Sequence, residues 1–140
     1  MSSIKIKDAK FSSEPGIKFV RETVFIKEQH VPVDLEWDTE DQTAQHVIAK
    51  TENGDVIATA RLLNNGHIGR MAVLEPFRYQ GVGTKMLSRL IDKAKQNGLK
   101  NVFLNAQSSA VNFYIKAGFC IVGNEFMDAG IPHYKMIKNL

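Results

Sequence analysis

Arg78-Tyr79-Gln80-Gly81-Val82-Gly83 stands directly between a strand pattern and a long helical pattern, and this junction constrains the fold more than any other part of the chain. Upstream, His67 to Leu74 reads as a strand. Downstream, Val82, Met86, Leu90, Ile91 and Ala94 share one face of a helix. A strand that passes through glycine straight into a helix exposes the first-turn N–H groups, which have no intrahelical acceptor. Together with the positive end of the helix dipole they make an anion site. Glycine lets the backbone approach a phosphate closely, and Arg78 adds a charge-assisted bond. The functional reading is a pyrophosphate cradle. A plain strand-to-helix turn, using glycine only for its geometry, accounts for the same residues. Two familiar nucleotide motifs do not fit. A dinucleotide fingerprint needs a third glycine where Met86 stands, a position after the first strand of a parallel array, and an acid about 20 residues on. A Walker A loop needs a Gly-Lys-Ser/Thr that is absent.

The pattern around this junction predicts a mixed α/β fold. Ser2 to Ala9 alternates around Ile4 and Ile6 as a first strand. Ser12 or Ser13 is positioned to cap a helix with Pro15 in its first turn, and Ile17, Val20, Val24 and Phe25 give that helix an apolar stripe ending before Pro32. Asp34 to Asp41 is an acidic loop or short helix carrying Trp37. His46–Lys50 and Val56–Leu63 pair through an Asn53-Gly54 turn, and Asn64-Asn65-Gly66 leads into the next strand, giving an antiparallel meander. The long helix runs to about Asn97 with Gly98 as its C-cap. Asn101 to Ala106 is an apolar run expected in a buried, parallel position. A helix from Ser108 or Ser109 to Gly118 and strands at Phe119–Val122 and His133–Ile137 complete the chain. The expectation is one domain over residues 1–140. It holds one mixed, mostly antiparallel twisted sheet flanked by helices, with a cleft where strands four and five part.

Composition narrows the function. The chain of 140 residues is 44% hydrophobic and 24% charged, with a net charge of +3. Its lysines are spread rather than clustered, so nucleic acid is not the expected partner. No run approaches the roughly 18 apolar residues of a membrane span. The N-terminal residues lack the apolar region of a signal peptide, so the expected location is cytoplasmic. The lone Cys120, flanked by Phe119 and Ile121, fits a reducing compartment and reads as a buried core thiol. His30, His46 and His67 lack metal-ligand spacing, and no metal is expected.

Three blocks together carry a resemblance. The junction is similar to the R/Q-x-x-G-x-G/A motif of the GNAT superfamily of N-acetyltransferases. Ala110-Val111-Asn112-Phe113-Tyr114-Ile115-Lys116-Ala117-Gly118-Phe119 resembles its A-x-x-x-Y-x-x-x-G-F helix, and Ile68-Gly69-Arg70-Met71-Ala72-Val73 its central strand. Arg21 to Gln29 and the end Ala129-Gly130-Ile131-Pro132-His133 resemble the small bacterial YjcF/ElaA-type subgroup.

The resemblance implies acetyl-CoA as acetyl donor and direct transfer to the amine of a small molecule or peptide. It implies cofactor contacts at Met71, Ala72 and Val73, whose backbone polarises the carbonyl and pairs with the pantetheine arm. Arg78, Tyr79, Gln80, Gly81, Val82, Gly83 and Thr84 would hold the pyrophosphate. Tyr114 matches the tyrosine that protonates the leaving thiolate. For the base the candidates are His133, Glu28, Glu36 and Asp38, with His133 preferred because imidazole titrates near neutral pH. Asn105 ends strand five, where it meets cofactor or substrate. Gln107 stands where many members carry asparagine. Arg21 would line the acceptor pocket and bind a carboxylate, while the acidic run from Glu36 to Asp41, if it borders the cleft, favours a cationic amine. A homodimer through exposed strand edges fits this architecture. A coenzyme-A-binding sensor without turnover and an acetyltransferase acting on aminoacyl-tRNA are the alternatives.

Overall fold

The computed structural model describes residues 3–140. Strands β1 (Lys5–Ala9), β2 (Gln45–Lys50), β3 (Val56–Leu62) and β4 (Ile68–Val73) form an antiparallel sheet in sequence order. Ser2, expected to open the first strand, lies outside the described residues. Every residue of β3 after Val56 is buried, both odd and even positions. Both faces of that strand are therefore covered, and helices α1 (Pro15–Arg21) and α3 (Val82–Gln96) both pack against it. Val82, Met86, Leu87, Leu90, Ile91 and Ala94 form the buried stripe of α3, as the helical spacing required.

Glu14, rather than Ser12 or Ser13, caps α1: its Oε2 accepts from the Gly16 N–H at 3.2 Å, with Pro15 filling the first helical position. The helix does not end at Arg21. It widens into a π-helical segment, Glu22–Glu28, in which the Gln29 N–H donates to the Val24 carbonyl at 3.0 Å. The acidic segment folds as α2 (Val33–Glu36) followed by a 3₁₀ turn, Thr39–Gln42.

The remaining strands make a second sheet, in two departures from expectation. β5 (Asn101–Gln107), β6 (Cys120–Asp128) and β7 (Ile131–Asn139) pair in the order β5-β7-β6, all antiparallel. Strand β5 is thus buried on one face only, and the ladder it joins is antiparallel; the expected parallel pairing survives only as one bridge, His67 to Phe103. Val102, Leu104 and Ala106 are buried, while Phe103, Asn105 and Gln107 are not. The apolar run concealed a period-two pattern. Strands β6 and β7 are also longer than expected, because the two-residue turn Ala129-Gly130, both at positive φ, folds them into a long hairpin. All nine residues of β6 are exposed, Cys120 among them, so the thiol is not in the core. No layer covers that edge strand.

The two sheets touch at one point. A single parallel bridge joins His67 to Phe103, with the Phe103 N–H donating to the Gly66 carbonyl at 3.0 Å. A side chain at Gly66 would bring its Cβ within 2.9 Å of the Asn101 carbonyl, so only glycine permits this approach. Beyond it β4 and β5 join different ladders, and the wedge between them is the site. A helix, α4 (Val111–Lys116), entered through a 3₁₀ turn at Ser108–Ala110, closes one side.

Candidate active site

One cleft, of about 410 Å³, runs from the divergent half of β4 to the start of α3. Met71, Ala72 and Val73 form one wall, Phe113 and Tyr114 of α4 the other, and Gly81, Val82, Gly83 and Thr84 the end. Arg78 and Tyr79 also line it. Gly81 sits at φ +82 with nothing within 4 Å of where a Cβ would point, leaving open space above the helix N-terminus. No side chain caps α3 among the described residues, so its first-turn N–H groups face this space. An anionic group followed by a slender chain fits these residues.

Two expected contacts stand elsewhere, and a third is engaged within the protein. Gln80 is not in the lining and donates to the Pro76 carbonyl at 3.2 Å. Asn105 lines the neighbouring cavity instead. Arg78 lines the cleft, but its guanidinium is engaged: Nε donates to the Val73 carbonyl at 2.8 Å, and Nη1 and Nη2 hold both Glu28 oxygens at 2.8 and 2.7 Å. Arg78 holds the Glu28 carboxyl below its ordinary range.

Strand β4 is bulged where the cleft begins. Thr59 pairs with Ala72 and Arg61 with Gly69, so Arg70 and Met71 together oppose Ala60. Arg70 carries the strain at φ +50, a conformation rare for a residue with a side chain. The extra residue breaks the ladder at the strand segment that faces both cavities.

The second cavity, of about 290 Å³, lies in the wedge between β4 and β5. Gln29, Met71, Ala110 and Tyr114 line both cavities, so the two meet at the tyrosine. The Tyr114 hydroxyl lies 3.9 Å from the Met71 sulfur, and burial pushes its pKa up to about 12. It stays protonated at neutral pH. His133 stands at the start of β7, opposite Gln107, and is 9% exposed on the same cavity. Its Nδ1 lies 2.7 Å from the Ile131 carbonyl. A carbonyl only accepts, so Nδ1 carries a proton, and in the neutral ring the lone pair is on Nε2.

Arg21 is the clearest correction. It is fully buried and lines neither cavity. It belongs to a closed ring of alternating charge. Arg21 binds Glu36 at 2.8 Å and Asp41 at 2.7 Å; Asp41 binds Arg61 at 2.8 Å; Arg61 binds Asp38 at 2.9 Å; Arg70 closes the circle to Asp38 and to Glu36, each at 3.3 Å. The Arg21 guanidinium also lies 4.9 Å from the Trp37 ring centroid, which packs that tryptophan into the same wall. Bonds from Arg61 hold the Asp38 carboxyl down to about 2. Burial pushes Glu36 the other way, up, against the pull of Arg21 and Arg70. Among the four base candidates, Glu28 and Asp38 are thus spent on arginines, while Glu36 and His133 both line the second cavity.

Sequence reasoning missed Val24, Gln29, Phe77, Ala110 and Phe113 in the cleft, and Arg70, His67 and Asp128 in the second cavity. Val24, Gln29, Arg70, Ala110 and Phe113 fall inside the blocks that carried the resemblance, but as positions with no assigned role, and Phe77, His67 and Asp128 lie outside them. Gln29 accepts from Gln107 Nε2 at 2.9 Å.

A bulged central strand, a glycine junction and two cavities meeting at a tyrosine, between diverging sheets, define an acyl-CoA N-acyltransferase fold. Residues 8–140 match the Acetyltransferase (GNAT) domain family, and the chain belongs to it as an N-acetyltransferase. Among its relatives is the uncharacterized N-acetyltransferase YjcF of Bacillus subtilis, 37% identical over 86% of this chain and 89% of that one. Another is protein ElaA of Escherichia coli, 30% identical over 86% and 84%. The crystal structure of ElaA superposes with a TM-score of 0.85 over 97% of this chain and 99% of that one, at 27% identity. A GNAT family acetyltransferase from Elizabethkingia anophelis, solved with acetyl-CoA bound, shares the fold at 19% identity with a TM-score of 0.74, over 98% of each chain.

Proposed function

We propose that this chain, acting as one catalytic domain, moves an acetyl group from acetyl-CoA to the amine of a small molecule or peptide by direct attack. The observation that carries this is the meeting of the two cavities at Tyr114 and Met71. One has the shape and donors for a pyrophosphate and slender arm; the other is a separate chamber for the acceptor. The acetyl-CoA-bound relative of the same fold supports the donor.

Acetyl-CoA, when bound, supplies an activated thioester. The α3 N-terminal amides and Gly81 hold its phosphates, with Arg78, Tyr79, Val82, Gly83 and Thr84 around them. Backbone N–H groups of the bulged strand, Met71 to Val73, polarise the thioester carbonyl. An alkylamine with pKa near 10 is only about 0.1% neutral at pH 7, so a base is needed. His133 Nε2 takes that proton, and the Tyr114 hydroxyl protonates the departing sulfur and is restored by the second proton that the attacking nitrogen sheds. No covalent acyl-enzyme enters, because the one thiol, Cys120, lies exposed on the edge strand and lines neither cavity. Cytoplasmic residence suits a chain whose described helices include none long and apolar enough to cross a membrane. The exposed β6 edge, with Ile121 and Val122 open, supports pairing with a second copy.

Thermal melting with and without millimolar acetyl-CoA, with NAD as control, tests the donor. Ligand at about 100 times its Kd adds roughly 2.7 kcal/mol, a rise of about 3–6 °C in a chain of this size. A shift with acetyl-CoA alone, followed by thiol release on adding amines, supports the reading. No shift, or an equal one with NAD, removes it.

A further inference from the structure

Glu36 lies in an acidic run whose ordinary expectation is a solvated face, yet it is 3% exposed. Its two carboxylate oxygens are treated differently. Oε2 accepts from Arg21 Nε at 2.8 Å and faces Arg70 Nε at 3.3 Å. Oε1 has no hydrogen-bond partner among the described residues. A sealed oxygen in that condition forfeits its hydration with nothing in return. The sealed side-chain atoms without partners are Asp41 Oδ2 and Arg61 Nε, however, and Glu36 Oε1 is not among them. Since Glu36 lines the second cavity, its free oxygen opens there. The one arginine of that cavity is largely spent: Arg70 gives Nε and Nη2 to the Leu35 and Glu36 carbonyls and to Asp38. A second carboxylate, Asp128, lines the same cavity from the β6–β7 hairpin. Leu35, Met71 and Leu104 supply apolar wall. The volume of about 290 Å³ falls just below the about 300 to 1,000 Å³ of small-molecule sites, which suits a compact ligand.

We infer that Glu36 is the residue that selects the acceptor: its free Oε1 receives the ammonium group of a compact alkylamine, so the acceptor enters as a cation. Arg21 and Arg70 fix the carboxylate by its other oxygen, which leaves the free one aimed and immobile. An ammonium donates three hydrogen bonds and Oε1 offers unfilled lone pairs, giving a charge-assisted contact. The alkyl body lies on the leucines and methionine, and the bound cation waits in the cavity that His133 also lines. This rests on the acetyl-transfer reading for what happens next, but the recognition itself is a binding event.

The test is calorimetric binding to the protein saturated with CoA, which binds without turnover. The probes are n-butylammonium, n-butanol and butyrate, against wild type and Glu36→Gln, a variant that keeps an oxygen for Arg21. Wild type should prefer the ammonium over both others by about tenfold or more, and Glu36→Gln should erase that preference while CoA affinity holds. A wild type that prefers butyrate or shows no preference overturns the inference. So does a folded Glu36→Gln that keeps the full preference. If Glu36→Gln fails to melt cooperatively, Asp38→Asn serves as a second variant, since it removes one ring charge and leaves Glu36 in place. Ammonium preference must survive there, and its loss overturns the inference. Ammonium binding without thiol release would sink the transfer reading and spare this one. Thiol release with no preference for protonated alkylamines over neutral arylamines would do the reverse.

Discussion

The two cavities are built by opposite means. The phosphate end of the cleft at the start of α3 is made of contiguous backbone, a strand end, a glycine turn and one helical turn, with Gly81 at φ +82 opening the space, while α4 supplies the opposite wall. The chamber beside it is assembled from side chains on the π-helical segment, α2, β4, β5 and the β6–β7 hairpin. Its wall is held by a ring of three arginines and three carboxylates drawn from residues 21 to 70. The difference teaches where specificity resides. A phosphate is bound by groups every chain possesses, so a short motif suffices. An acceptor is chosen by side chains whose proximity exists only after folding.

The largest way to sharpen this contrast is at the tyrosine shared by both cavities. Tyr114→Phe should lower turnover by about 10²–10⁴-fold and leave acetyl-CoA affinity within about twofold. Equal turnover removes Tyr114 from proton transfer. Next, Arg21→Met takes one of two arginine partners from both Glu36 and Asp41, which keep only Arg70 and Arg61. It should cost about 3–5 kcal/mol, seen as a fall in melting temperature of roughly 10 °C. A variant that stays stable but loses carboxylate-bearing acceptors would restore Arg21 as a substrate contact and break the ring argument. Gly81→Ala meets no neighbour, so only its positive φ is penalised, by about 1 kcal/mol. Its added methyl enters the space over the α3 amides, so acetyl-CoA affinity should drop about tenfold while binding of alkylammonium ions to the other chamber is unchanged.

The smallest effect is on acid stability. The Asp38 carboxyl falls from 3.8 to about 2 on folding, chiefly through its bonds to Arg61. A carboxylate depressed on folding stabilises above its unfolded value, and that contribution is lost as pH falls through the folded one. Wild type should therefore lose stability between pH 4 and 2, and Asp38→Asn should lack that limb in acid melting curves. Glu36 acts with the other sign. Burial raises its pKa, so its ionised form subtracts stability above the ordinary carboxylate value. The net change in the acid limb will be modest, since the Asp38 side chain is also 30% exposed.

Much of the first sheet and all of α3 were legible in the sequence. The Asn53-Gly54 turn, the strand at Val56 and the α3 stripe are local patterns whose periods survive in the structure. The second sheet was less so. Strand β5 read as a buried parallel run, although its ladder is antiparallel to β7 over seven residue pairs from Asn101 to Gln107. Strand β6 carries no buried residue, so no hydrophobic alternation announced its full length or warned that Cys120 would be exposed. Arg21 and Arg61 illustrate the same limit in the site. Arg21 read as an acceptor-pocket contact because nothing near it in the chain names its acidic partners, which stand 15 and 20 positions further on.

By itself the sequence determined the chemistry that backbone can supply: a glycine junction that leaves helix amides open, a tyrosine helix after strand five, and a histidine opening the last strand. These depend on residues close together in the chain, where steric and hydrogen-bonding rules act before any long-range contact forms. Only the tertiary structure decided which charges pair, that Arg70 bulges out of β4, and that Glu36 turns one oxygen inward to the ring and the other to the chamber. Those outcomes depend on desolvation and on ion pairs between distant segments, and neither exists until the segments meet.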